Sequence, residues 1–198
     1  ASGEFGVATD DRPVRIAALG DSTLTGPGLE HGHQIWIAEV ARRLAHTGAV
    51  HVQSHAVGGS RIHDVRWRQV EAVVADPPDV AVLSIGSNDA IHGTLVRRAH
   101  RDLVALLEVL TTFVPEVLLF GIGDLSVIPR TPRSLRGVLS ARSRQIDRVH
   151  ARAAEEFPSV TRVPAGPLAL KPFRERPDDP FANDLFHPNA AGHGVWAD

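Results

Sequence analysis

Four short segments hold residues whose types and spacing suit nucleophilic chemistry. Gly20-Asp21-Ser22 offers a hydroxyl at a sharp turn that glycine makes possible. Asp184-Leu185-Phe186-His187-Pro188 sets a carboxylate and an imidazole three residues apart. If Asp184 accepts a hydrogen bond from one ring nitrogen of His187, the other nitrogen is left as the acceptor that a general base for Ser22 requires. Between these segments lie Gly58-Gly59-Ser60 and Gly86-Ser87-Asn88-Asp89. A backbone N–H at Gly59 and the side-chain amide of Asn88 are neutral donors suited to an oxyanion. No segment carries this reading alone. A Gly-Asp-Ser triplet arises by chance in roughly one chain in twenty of this length at average residue usage, and Asp21 or Ser22 equally suits a helix cap. Gly and Asn are the ordinary residues wherever the backbone turns to positive φ. A local turn at Asp184 beside a solvated His187 accounts for the last segment as well.

The elements around these segments decide whether they can meet. Val14 to Leu19 is a short apolar block rich in strand formers and closed by Gly20, the pattern of a buried first strand. Ile37, Val40, Ala41 and Leu44 recur at helical spacing, and the pattern ends near Gly48. Val50 to Val57 reads as a second strand, Asp64 to Ala75 as a helix stopped by Asp76-Pro77-Pro78, and Val80 to Ile85 as a central third strand. A leucine stripe at 103, 106, 107 and 110 gives a helix, Val117 to Ile122 a fourth strand, Arg133 to Phe157 a long helix, and Val160 to Val163 a fifth strand. Pro188 to Trp196 closes the chain as a helix. Strands alternating with helices argue for an α/β fold: a parallel five-stranded sheet sandwiched between helix layers. In such sheets the ligand crevice lies beyond the carboxyl ends of the strands, and the four chemical segments are expected there. Two connections are rich in proline, 123–132 and 164–184. The second is long enough to serve as a binding loop or lid, with Leu125, Phe173 and Phe181 as candidate wall residues across the two.

Composition narrows the function classes. With 198 residues, 43% of them apolar and 22% charged, the chain suits one ordinary globular domain. We expect residues 1–12 to be a flexible leader, a processed end or an appended scar, and 13–198 to be a single catalytic domain. A net charge of −2 gives no broad attraction for nucleic acid. The absence of cysteine excludes a disulfide framework and thiolate metal sites. No apolar run is long enough for stable membrane insertion. With no signal peptide in view, a cytoplasmic protein is expected, a secreted mature form being the other case. No heptad pattern announces an oligomer.

Taken together, the order of the four segments resembles the SGNH hydrolases, the GDSL-type esterases and lipases, over nearly the whole chain from Val14 to Trp196. The resemblance implies a flavodoxin-like three-layer α/β/α sandwich. It also implies a triad of Ser22, His187 and Asp184, and an oxyanion hole from the N–H groups of Ser22 and Gly59 with the Asn88 side chain. The expected reaction is hydrolysis of a small-molecule ester through an acyl-enzyme, with no cofactor and no metal. Two departures from the family pattern stand out: Thr23 follows the nucleophile where leucine is common, and Ser54 replaces an asparagine five residues before Gly59. Competing readings fit less well. The α/β-hydrolase elbow needs glycine where Leu24 stands, and Gly20, Gly26 and Gly28 lack dinucleotide-binding spacing. The pairs His31/His33 and His187/His193 lack a third metal ligand at established spacing. An acyltransferase using the same triad, or a non-catalytic module retaining the fold, are the alternatives from other classes.

Overall fold

A computed structural model describes residues 2–6, 12–176 and 179–198. Its centre is a sheet of β1 (Gly3–Phe5), β2 (Val14–Gly20), β3 (Val50–Ser54), β4 (Val80–Ser84), β5 (Glu116–Phe120) and β6 (Val160–Val163), in the order β1-β3-β2-β4-β5-β6. The five strands from β2 onward are parallel, and among themselves they run second, first, third, fourth, fifth, the flavodoxin-like order.

Period-two alternation in the strands builds two cores. Ala17, Leu19, Ala81, Leu83, Val117 and Leu119 point to one face, and Ile16, Ala18, Val50, Val52 and Val82 to the other. The first face is covered by α2 (Ile62–Arg68), α3 (Val70–Ala75), α5 (Val96–Phe113) and α6 (Arg133–Glu155). The second is covered by α1 (Trp36–Leu44) and α8 (Ala190–Ala197), with α7 (Pro167–Glu175) packed on α8. Leu19, Leu83 and the α5 stripe Leu103, Leu106, Leu107 and Leu110 are fully buried. Each contributes about 1.5–3 kcal/mol by leaving water, which fixes β2 and β4 side by side at the centre.

Three expectations are corrected. The sheet has six strands, not five, because Gly3–Phe5 pairs antiparallel with β3 and brings Phe5 against the second core. Three residues are too few to show alternation, so this strand within the segment expected to be flexible left no pattern; residues 1 and 7–11 lie outside the described residues. The helix expected over 64–75 is two helices, starting at Ile62 and broken at Gln69, whose φ of −118° leaves the helical range. The proline-rich 164–184 connection contains α7, which starts on Pro167 and tolerates Pro172 within it. Proline at the first helical position gives up only an N–H that has no intrahelical partner. Residues 177–178 of that connection are outside the described residues.

Candidate active site

The flavodoxin-like order reverses direction at β2 and β4, and the carboxyl ends of these two strands form the crevice. Gly20 closes β2 opposite Ser84 of β4. Its φ is +152°, and a Cβ there would lie 1.9 Å from the Ser84 carbonyl oxygen, so only glycine lets the chain leave the sheet at this point. Asp21 then caps the single 3-10 turn Ser22–Leu24 by accepting from the Thr23 N–H at 3.0 Å. Leu24 is fully buried and anchors the turn from below. Thr23 shares a 2.8 Å hydrogen bond with the Ser84 hydroxyl, and its carbonyl accepts from the Trp36 indole at 2.9 Å. Thr23 is therefore tied in by polar contacts. Ser22, partly exposed, is presented at the turn they hold.

The C-terminal pair is built by one carboxylate. Asp184 Oδ1 accepts from the backbone N–H groups of Phe186 and His187, both at 3.0 Å, and Oδ2 lies 2.6 Å from His187 Nδ1. Leu185 takes φ +56° to make so tight a turn. Ala182 N–H donates to the His187 carbonyl at 2.8 Å, and Arg130 N–H to that of Leu185 at 3.0 Å, which fastens the turn to the 123–132 connection. The Phe186 ring stands edge-on to the imidazole, with centroids 4.8 Å apart. Partial burial works against the Asp184 charge, but the His187 side chain and the two N–H groups outweigh it and hold this carboxyl below its ordinary value. A carboxylate held this way can accept from a proton on His187 Nδ1, the tautomer that leaves Nε2 as an acceptor.

Ser22 and His187 line the same cavity, of about 370 Å³. Among the described residues no hydrogen bond joins them; in unliganded sites such bonds are often long and tighten only around substrate. The cavity walls are mainly apolar: Trp36, Phe120, Ile128, Val195 and Trp196 stand with Leu125, Phe173 and Phe181, the three wall residues named from sequence. This is the size and character of a small-molecule site.

The oxyanion candidates are placed less simply. The N–H of Ser22, first in its turn, and that of Gly59, on an exposed turn, donate to no other described group, so both are free to bind an anion. Asn88 belongs to the short helix α4 (Ser87–Ile91), which follows β4, and reaches Asp21, the residue before Ser22. Its Nδ2 donates to the Ser60 carbonyl at 3.1 Å and to Asp21 Oδ2 at 3.3 Å. Gly59 and Asn88 lie outside the cavity wall that Ser22 and His187 share. Serving an oxyanion would require Asn88 to exchange the longer of its bonds, that to Asp21. Asp21 is almost wholly buried, and desolvation pushes its pKa up to about 6 despite the bonds from Thr23 and Asn88.

The other histidines of the two candidate metal pairs have partners of their own. His193 is buried and accepts from the Trp36 N–H at 3.5 Å, and His31 and His33 stack on one another. Among the described residues no group of three or more His, Cys, Asp or Glu side chains is placed to hold a metal ion. No helix there is long and apolar enough to cross a membrane.

Comparison with known proteins follows the same outline. Residues 18–195 match the model of the GDSL-like lipase/acylhydrolase family. A GDSL-like esterase of Mycobacterium tuberculosis is 32% identical over 189 residues, covering 93% of this chain and 60% of that protein. The chain thus spans about 60% of the length of this curated relative. Among solved structures, TesA superposes with a TM-score of 0.74 at 20% identity, covering 92% of this chain and 93% of its own. The acetylxylan esterase Axe2 of Geobacillus stearothermophilus gives 0.69 at 21%, covering 93% and 90% respectively. At these identities the two structures establish the fold.

Proposed function

The chain belongs to the GDSL-like lipase/acylhydrolase family, and from that premise we propose that it hydrolyses carboxylic esters through an acyl-enzyme on Ser22. The observation that carries this reading is the 2.6 Å bond from His187 Nδ1 to Asp184 at the rim of a cavity that Ser22 also lines. His187 Nε2 takes the Ser22 proton as the hydroxyl oxygen attacks the ester carbonyl. The N–H groups of Ser22 and Gly59, with the Asn88 amide, receive the oxyanion. The same imidazole then protonates the departing alcohol. Water, deprotonated by His187, attacks the acyl-enzyme and releases the acid, returning the proton to Ser22. Asp184 keeps the imidazole in the required tautomer and stabilises its charged form.

The apolar walls supply the substrate reading: an uncharged ester with one hydrocarbon arm in the cavity. Burying each added methylene is worth about 0.8 kcal/mol, or up to roughly fourfold in kcat/KM until the space is filled. The test is a series of activated esters lengthened one methylene at a time, assayed with the wild type and with Ser22→Ala. Turnover that climbs with length in the wild type and vanishes in a folded Ser22→Ala is expected. Full activity in Ser22→Ala removes the mechanism, and a flat length profile removes the assignment of the hydrocarbon arm.

A further inference from the structure

Gln69 is buried to 1% exposure in the interior of an otherwise apolar face, between Val65 and Val73. Its side-chain amide is almost fully engaged. Oε1 accepts from the Gly20 N–H at 2.8 Å, and Nε2 donates to the Gly20 carbonyl at 2.9 Å and to the Ser60 hydroxyl at 3.2 Å. The first two bonds grip both backbone groups of one residue, as a neighbouring strand would, at the place where β2 ends. The third reaches the residue after Gly59. Ser60 in turn accepts from Asn88 through its carbonyl. A single amide therefore joins the turn that carries Ser22 to the turn that carries Gly59, and through Ser60 to Asn88. The break between α2 and α3 falls at this residue.

We propose that Gln69 is a positioning residue for the reaction on Ser22, setting the distance between the nucleophile and the oxyanion donors; this rests on the function proposed above. Gln69 is absent from the cavity wall, so it acts through Gly20 and Ser60 and not on substrate. An amide of this length donates and accepts at once, and at neutral pH carries no charge into a buried site. A displacement of about 1 Å between reacting groups can cost on the order of a hundredfold in rate. Loss of the grip therefore lowers kcat and leaves KM nearly unchanged.

Two variants test this in the full chain. Gln69→Met keeps length and removes all three bonds. Gln69→Glu, buried and therefore readily protonated, restores a donor and an acceptor toward Gly20 as the neutral acid and loses the donor as the carboxylate. With kcat counted per fluorophosphonate-titrated site, so that misfolded protein is excluded, we expect Gln69→Met to lose about 30- to 100-fold with KM within about threefold. Gln69→Glu shows a similar loss at pH 8, and its kcat relative to wild type recovers as pH falls towards 5. Asp21 beside Gly20 and Asp89, accepting from Ile62 N–H at the start of α2, titrate in both proteins, as does His187 in the reaction; the ratio divides out what is common and keeps what the added carboxyl does, its coupling to Asp21 included. Wild-type kcat per site in Gln69→Met, or a pH-independent ratio for Gln69→Glu, overturns the proposal while the wild type still labels at Ser22. Absence of label at Ser22 in the wild type removes the underlying reaction and this proposal with it.

Discussion

Replacing Asp184 with asparagine separates the two services this carboxylate gives His187. Oδ1 is occupied by the N–H groups of Phe186 and His187. An asparagine therefore keeps its carbonyl oxygen there and turns its NH2 group toward His187 Nδ1. The turn survives, but the imidazole becomes protonated on Nε2, the wrong nitrogen for accepting the Ser22 proton. The charge is lost as well. Asp184 and His187 side chains are 39% and 24% exposed, so an effective dielectric between about 20 and 80 applies. Charge centres about 4 Å apart then attract by about 1–4 kcal/mol. Discounted for solvent screening this is about 2 kcal/mol, or roughly 30-fold in rate. The wrong tautomer adds to it, and in a Ser-His-Asp site the combined loss reaches about 10⁴ in kcat. We expect Asp184→Asn to retain its melting temperature within a few degrees and to lose at least about a thousandfold in kcat on an activated ester. A folded Asp184→Asn with kcat within threefold of wild type refutes this reasoning.

Other outcomes follow from the same geometry. Asn88→Ala lowers kcat by about a hundredfold, the value of one oxyanion donor of about 3 kcal/mol, with a smaller change in KM; steady-state kinetics with unchanged kcat argues against that role. His150 is fully buried, and desolvation pushes its pKa down to about 4 from 6.5. Below pH 6.5 the unfolded chain takes up a proton that the native state refuses, so this contribution to stability is lost as pH falls through that range. Between pH 7 and pH 5 the loss is about 2 kcal/mol. Urea denaturation at the two pH values should show a drop smaller by that amount in His150→Gln; an identical drop excludes His150 as its source.

Much of this arrangement was legible in the residues themselves. β2 and β4 are buried on both faces along their central residues, so their apolar runs are nearly unbroken, and the segments after them fell where the fold brings them together. The Asp184 turn was legible because its hydrogen bonds span only two or three residues. What escaped depends on distant partners. β1 exists through pairing with β3, 47 or so residues away, and three residues carry no period of their own. Gln69 reaches Gly20 across 49 positions. Its one local trace is a polar residue on the apolar stripe of Ile62, Val65 and Val73, a mismatch that marks a buried hydrogen-bonding role. Trp36 and Phe120, both cavity walls, read equally well as core, since an aromatic beside a cavity and one inside a core have the same spacing.

Mass spectrometry of the protein after reaction with a fluorophosphonate addresses the centre of the account most directly. One adduct on the peptide containing Ser22, forming at a rate that collapses in His187→Ala, is the result expected. An adduct on another residue, or labelling of Ser22 that proceeds at the same rate without the imidazole, contradicts it.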